Sequence, residues 1–317
     1  MSKFKVLITD YPWSDLVVER QILEPIGAEL VEPDDASESA LVAAVADVDA
    51  ILTTWAHVSR QVLAAAAKCV IVSRLGIGLD NIDLEFCREA AITVTNVPQY
   101  CEIEVAEHTL ALIFALGRKV ARYHSQTKAG IYDLQAGPPL RRLQGQTLGI
   151  VGLGNIGTVV ANKAAALGLN VQYHNRTPRD SPYHFVETLP ELLSTSDYVS
   201  LHVPLTDETR GLMGADELRM MKSTGYLINT ARGALLDHDA LTAGLQQNQI
   251  AGAALDVQDR EPPDLAQPPY SFENVIVTPH AAFLSEESLQ MLRTCATEQV
   301  VAKLSGFTPN NIVVSGR

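Results

Sequence analysis

The chain has 317 residues, a length that suits about two domains. Hydrophobic residues make up 47% and charged residues 19%, the balance of a folded globular protein and not of a disordered or fibrous one. The formal net charge is −13, which argues against nucleic acid and anionic membrane as partners; an anionic ligand would need a local positive island.

The four cysteines, Cys69, Cys87, Cys101 and Cys295, form no CxxC pair and have no paired histidine spacing. They read as reduced cytosolic thiols, with no disulfide frame and no metal site. The start, Met1 to Asp10, holds too short an apolar run for a signal peptide. The longest apolar stretch, Thr109 to Leu116, falls far short of the roughly 20 residues that span a bilayer. A cytoplasmic protein is expected.

Short β-branched runs alternate with helical patterns. In the first third the strand candidates are Lys5–Thr9, Ala28–Val31, Ala50–Thr54, Val70–Ser73 and Ile92–Thr95. Amphipathic stretches such as Asp15–Leu23 and Ser59–Lys68 lie between them. One long helical pattern, Glu104 to about Thr127, follows. The rhythm restarts with Thr147–Val151, Asn170–His174, Tyr198–Val203, Tyr226–Thr230, Ala251–Val257 and Val275–Thr278, and ends in a helix over Glu286–Leu304. These are βαβ units, and too many strands for one twisted open sheet. The expectation is α/β: two doubly wound parallel-sheet domains, with a ligand cleft between them. Crossings near Pro98 and Leu284 would divide the chain into 1–98 with 285–317, and 99–284.

The sharpest local signal is Thr147-Leu-Gly-Ile-Val-Gly152-Leu-Gly154-Asn-Ile-Gly157. Three glycines alone can mark ordinary turns. Here they follow an apolar strand and open a helical pattern, Ile156–Leu167, which is the context of a dinucleotide-binding (Rossmann) turn. Gly152 permits the tight turn, Gly154 the approach of a pyrophosphate, and Gly157 close helix–strand packing. The helix start, at Asn155 and Ile156, offers N–H groups and positive potential to the phosphates.

The end of the next strand chooses the nucleotide. NAD binders usually place an acid there, against the ribose 2′-hydroxyl. This chain has Asn175, neutral, followed by Arg176, Thr177 and Arg179. Such a set accepts a 2′-phosphate, so NADP is the expected cofactor, with NAD as the alternative. The lesser alternative is that both arginines are solvated loop charges.

Three ionisable residues stand at the ends of later strands: Arg232, Glu261 and His280. Reduction of a 2-oxo acid needs a carboxylate anchor, a carbonyl polariser and a proton source. Arg suits the first two and His the third, while a carboxylate beside the histidine favours its charged form. Singly, each has a plain structural explanation. Together, after the strands of a dinucleotide fold, they are hard to dismiss.

The whole chain resembles the D-isomer-specific 2-hydroxyacid dehydrogenases, nearest the branch of the C-terminal binding proteins and the glyoxylate/hydroxypyruvate reductases. The marks are Arg74-Leu-Gly-Ile-Gly78-Leu-Asp-Asn-Ile-Asp83, Asn96-Val-Pro98, Val105-Ala-Glu-His-Thr109, the glycine run, Leu201-His-Val-Pro-Leu205-Thr, Asn229–Gly233 and Thr278-Pro-His-Ala-Ala282. The resemblance implies a flavodoxin-like substrate domain from both chain ends, a central Rossmann domain, and a homodimer formed largely through the latter. It implies that Arg232 binds substrate, that His280 is the general acid/base, and that Glu261 pairs with it. It further implies Asp256 at the nicotinamide carboxamide, Ile77 and Gly78 N–H groups on the substrate carboxylate, and Pro204 and Thr230 along the cofactor. The branch rests mainly on Phe283, where relatives commonly carry Trp, and Asn175 departs from the family's usual acid. Formate-oxidising relatives carry Gln where Glu261 stands, and phosphite-oxidising ones carry Lys where Ile77 stands.

Other residues leave alternatives open. His57 either touches substrate or is an exposed loop histidine, and Arg74 either adds positive potential or braces Asp80 or Asp83. Arg141 and Arg142 either reach a partner's cleft or are solvated, while His108 and His202 sit in apolar patterns as core or supporting groups. The expected function is hydride transfer between NAD(P)H and a small 2-oxo acid of the glyoxylate or hydroxypyruvate type. The rival is a nucleotide-sensing interaction protein of corepressor type, which would keep the same three ionisable residues but turn over little.

Overall fold

The computed structural model describes residues 3–135 and 140–316. Two compact units form, Met1–Tyr100 with Ser285–Arg317, and Cys101–Leu284. Residues 1, 2 and 317, at the ends of the expected substrate domain, lie outside the described residues. In chain order the elements begin β1 (Phe4–Ile8), α1 (Val17–Leu23), β2 (Ala28–Val31), α2 (Glu38–Ala44), β3 (Ala50–Thr53), α3 (Arg60–Ala65), β4 (Ile71–Arg74), α4 (Leu84–Glu89) and β5 (Thr93–Thr95). The second unit carries α5 (Glu102–Arg118), α6 (Val120–Lys128), β6 (Thr147–Val151), α7 (Asn155–Ala166), β7 (Asn170–His174), β8 (His184–Phe185), α8 (Leu189–Thr195) and β9 (Tyr198–Leu201). It continues with α9 (Ala215–Met220), β10 (Tyr226–Asn229), α10 (His238–Gln246), β11 (Gly252–Leu255) and β12 (Val275–Val277). Helix α11 (Glu286–Leu304) and β13 (Ile312–Val314) return to the first unit.

Each unit is a doubly wound α/β sheet. In the first the order is β13-β5-β4-β3-β1-β2, parallel except for β13 against β5. In the second it is β12-β11-β10-β9-β6-β7-β8, parallel throughout. Strands β3, β4, β9 and β11 are buried along their length, and the polar residues they carry, such as Thr53, Ser73, Arg74 and Ser200, are buried with them. Winding reverses between β1 and β3 in one sheet and between β6 and β9 in the other, and the crevice at the strand C-termini there is where open α/β sheets bind ligands. Side-chain caps start many of the helices: Ser37, Ser59, Asp83, Thr188, Asp237 and Ser285 each accept a first-turn N–H.

The helical pattern expected as one piece from Glu104 to Thr127 is two helices. Lys119 takes a left-handed φ of 53° between α5 and α6. Helix α5 buries a full apolar face, including Val105, Leu112 and Ile113, whereas α6 buries none of its residues. Packing thus holds α5 straight and gives α6 no reason to continue it. The short strands β8 and β13 carry no alternation long enough to read from sequence. Among the described residues no helix is long and apolar enough to cross a membrane.

Helix α11 is tied into the first unit by a buried ion cluster. Arg293 donates to both oxygens of the wholly buried Glu19, at 2.8 and 2.7 Å, and to Asp15 at 3.2 Å, with its guanidinium over the Trp13 ring. Removing one partner of such a pair leaves an uncompensated buried charge, at a cost of about 3–5 kcal/mol. Arg293→Met should therefore lower the urea midpoint strongly, and adding Glu19→Leu should recover part of the loss. Equal midpoints for Arg293→Met and the parent chain would refute the role.

Candidate active site

The glycine turn joins β6 to α7. Gly152 has φ of 100°, which a side chain would strain, and a Cβ there would lie 2.7 Å from the His202 carbonyl oxygen. A Cβ on Gly157 would lie 2.3 Å from the Gly152 carbonyl oxygen, so the helix can only press this close without one. At Gly154 a Cβ would meet nothing within 4 Å. That open face lies beside the α7 N-terminus, where no side chain caps the helix and the N–H groups of Asn155, Ile156 and Gly157 lie outside the helical ladder. Two glycines are needed for packing and the third leaves room for a ligand. The arrangement fits a dinucleotide pyrophosphate.

Asn175 closes β7 and accepts the Leu153 N–H on Oδ1 at 2.6 Å, so it braces the glycine turn as well as ending the strand. Arg176, Thr177 and Arg179 follow it, all exposed. Pro204 is exposed past β9, where its carbonyl accepts the Thr209 hydroxyl at 2.7 Å. Thr230, buried, meets the Thr109 hydroxyl on α5 at 3.0 Å.

The three ionisable residues come from the ends of β10, β11 and β12. Arg232 is presented by a turn that the Asn229 side chain builds, accepting Ala231 N–H and donating to the Arg232 carbonyl. Glu261 and His280 meet directly: Nδ1–H donates to Oε2 at 2.8 Å, which leaves proton transfer to Nε2. Burial pushes the Glu261 carboxyl up, but the His280 hydrogen bond and charge, the Gln258 N–H and the Arg232 charge together hold it below its ordinary value. Phe283 presents an edge-on contact to the imidazole, with ring centroids 6.1 Å apart.

His280 sits at φ of 53°, an uncommon conformation for a side-chain-bearing residue. Asp256 holds it there. That carboxylate is wholly buried, and Oδ1 accepts the Thr278 hydroxyl at 2.6 Å and the Ala281 N–H at 2.9 Å. Its Oδ2 accepts the Ala282 N–H at 2.9 Å, and its carbonyl takes the His280 N–H at 2.8 Å. His108 on α5 adds Nε2, 3.1 Å from the Thr278 hydroxyl and 3.5 Å from Asp256 Oδ1. The resemblance assigns Asp256 to the nicotinamide carboxamide; its carboxylate accepts three hydrogen bonds from the histidine loop. His202, bonded to the Ser200 hydroxyl at 2.9 Å, is pushed down to about 4 by burial and stays neutral.

Ile77 and Gly78 belong to the loop after β4 in the first unit, half-buried, with the Ile77 carbonyl accepting Asn96 Nδ2 at 2.8 Å. Arg74 donates to its neighbour Leu75's carbonyl and lies against Gly76. His57 is exposed in a loop whose preceding N–H groups, of Thr54, Trp55 and Ala56, all donate to Asp10. Arg141 lines a cavity with Lys119 and Arg122 beside the starts of β9 and β10. Among the described residues no group of three or more His, Cys, Asp or Glu is placed to hold a metal.

A glycine turn shaped for a pyrophosphate and a His280–Glu261 contact, both at the carboxyl ends of strands in one sheet, fit a dinucleotide-binding unit. The family model "D-isomer specific 2-hydroxyacid dehydrogenase, NAD binding domain" matches residues 110–282. Glyoxylate reductase of Aeropyrum pernix is 37% identical over 284 residues, 86% of this chain and 85% of that one. D-3-phosphoglycerate dehydrogenase of Methanocaldococcus jannaschii is 34% identical over 315 residues, 98% of this chain but 59% of that longer one. The crystal structure of an NADPH-dependent glyoxylate/hydroxypyruvate reductase from Sinorhizobium meliloti, in complex with NADP and malonate, superposes with a TM-score of 0.88 at 28% identity, covering 100% of this chain and 99% of that one. The chain belongs to the D-isomer specific 2-hydroxyacid dehydrogenases, a family of nicotinamide-linked oxidoreductases.

Because the Glu261 carboxyl is depressed in the folded protein, its contribution to stability is whole above the ordinary value of 4.5 and is lost as pH falls through the lower folded value. Glu261→Gln should flatten that part of the acid limb in thermal melts between pH 7 and pH 3. An unchanged limb would show that the pair carries no linkage.

Proposed function

We propose that the protein reduces small 2-oxo acids of the glyoxylate or hydroxypyruvate type, with NADPH preferred over NADH. The observation that carries the proposal is the 2.8 Å contact between His280 and Glu261 at the sheet edge that also holds the glycine turn. When bound, the reduced nicotinamide supplies the hydride to C2 of the substrate. His280, oriented through Nδ1 by Glu261, gives an Nε2 proton to the forming alkoxide. Arg232 anchors the carboxylate and stabilises the negative charge developing on the carbonyl oxygen. The backbone N–H groups of Ile77 and Gly78 are assigned to the same carboxylate. Asp256 acts through the loop it grips, keeping the imidazole aimed.

The nucleotide preference rests on Asn175. A neutral side chain at the end of β7 does not repel a 2′-phosphate, and Arg176, Thr177 and Arg179 supply charge and donors beside it. The Sinorhizobium reductase, described as NADPH-dependent, supports this choice. The spacing of the four cysteines at 69, 87, 101 and 295, with no CxxC pair, supports a reducing compartment, the cytoplasm. NADPH and NADH oxidation screened against glyoxylate, hydroxypyruvate, pyruvate and bulkier 2-oxo acids should give turnover on the small acids, with higher kcat/KM for NADPH. His280→Ala should lower kcat by about two to four orders of magnitude with cofactor affinity nearly unchanged. Wild-type turnover on no member of the panel would favour a nucleotide sensor instead.

The proposed partner is a second copy of the chain, joined through the nucleotide unit. Tyr132 and Leu134 are 93% and 92% exposed, with Ile131 and Val120 also exposed nearby in sequence, an unusual concentration of bare apolar surface. The same unit has a cavity of about 870 Å³ lined by Lys119, Arg122, Arg141 and the stacked pair Tyr198 and Tyr226. Within that lining Arg122 is paired with Glu273 at 3.1 Å, which leaves Lys119 and Arg141 as the charges proposed to meet Asp133 of the partner copy. Tyr132→Asp with Leu134→Asp should convert a dimer to a monomer in sedimentation velocity. A dimer that survives both changes would rule this surface out.

A further inference from the structure

Gln258 stands where the three catalytic loops meet. Its main-chain N–H donates to Oε1 of Glu261 at 3.0 Å, while Oε2 of the same carboxylate takes the His280 proton. Its side-chain amide is buried, 6% exposed, and donates to the Leu255 carbonyl at 3.2 Å and the Thr278 carbonyl at 3.3 Å. The Thr278 carbonyl also receives the His280 main-chain N–H at 3.1 Å. On its other side the Gln258 backbone abuts the residue after Arg232. A Cβ on Gly233 would lie 2.0 Å from the Gln258 carbonyl carbon and 2.1 Å from its oxygen. One residue thus borders the acid, the base and the arginine.

The chemistry of the side chain matches the task. A primary amide has two N–H donors, one for each carbonyl, and spans the ends of β11 and β12. An aliphatic residue of the same length fills the space and donates nothing; a carboxylate would face two carbonyl oxygens and repel both. We propose that Gln258 is a positioning residue that keeps Glu261 and His280 in register, acting through them and not on the substrate. The proposal rests on the acid–base assignment above.

Gln258→Met keeps length and volume and removes both donors. It should lower kcat for 2-oxo acid reduction by about tenfold, with substrate KM and NADPH Kd, followed by cofactor fluorescence, changed less than about twofold. In a Glu261→Ala background the same change should cost less than about twofold further, because the contact it positions is already gone. Gln258→Asn, whose amide is too short to reach both carbonyls, should shift kcat in the same direction and carries the test if the Met variant does not fold. Unchanged kcat in both variants overturns the proposal. So does an undiminished tenfold loss in the Glu261→Ala background, or a loss that only follows falling melting temperature and cofactor affinity. Wild-type kcat in Glu261→Ala alone would overturn the acid–base assignment itself, and Gln258 with it.

Discussion

The second unit is built around a hydrogen bond between two groups that water would otherwise solvate separately. Glu261 leaves β11 and His280 leaves β12, and each alone would be an ordinary charged side chain near a sheet edge. In contact they depend on each other: burial disfavours the carboxylate, and the imidazole's hydrogen bond and charge overcome that penalty. Because Nδ1 is committed to Glu261, the orientation of the ring is fixed and Nε2 is left for other partners.

Around that contact the structure places polar groups that are neutral or fully satisfied. Asp256 is a buried carboxylate with three donors on its side chain, all from the segment 278–282. A bare charge at that depth would be costly, whereas one ringed by hydrogen bonds becomes a rigid anchor. It is what allows His280 to occupy a left-handed backbone conformation that an unsupported residue avoids. Positive potential is kept for the ligand side: Arg232 and the uncapped start of α7 stand out in a chain whose net charge is −13.

Much of this was legible in the sequence because the signals are local. The glycine run, the alternation of strands and helices, and the strand-end positions of Arg232, Glu261 and His280 each follow from a short window of residues. The element boundaries mostly shift by a residue or two, as helix and strand ends do. What escaped was non-local. Gln258 is one polar residue after a strand, and only the fold brings Thr278 to its amide; no spacing rule joins positions 258 and 278. The His108 contact with Thr278 spans a helix and a distant loop in the same way. The break at Lys119 was hidden because the helical pattern runs on past the point where packing stops.

Asn175 braces the glycine turn with a side chain that carries no charge. Its carbonyl oxygen accepts the Leu153 N–H, so the side chain is part of the glycine turn's own hydrogen bonding. An aspartate could make the same bond, with a stronger acceptor, and the turn alone does not explain why the residue is neutral. The difference between the two lies in charge, and charge matters only to what approaches from outside the strand. With arginines at 176 and 179 next to it, an acid here would have ready cationic neighbours in the chain itself, and their charge would be spent internally. A neutral amide keeps the turn closed without adding a second acid near Arg176, whose charge already acts on Glu208.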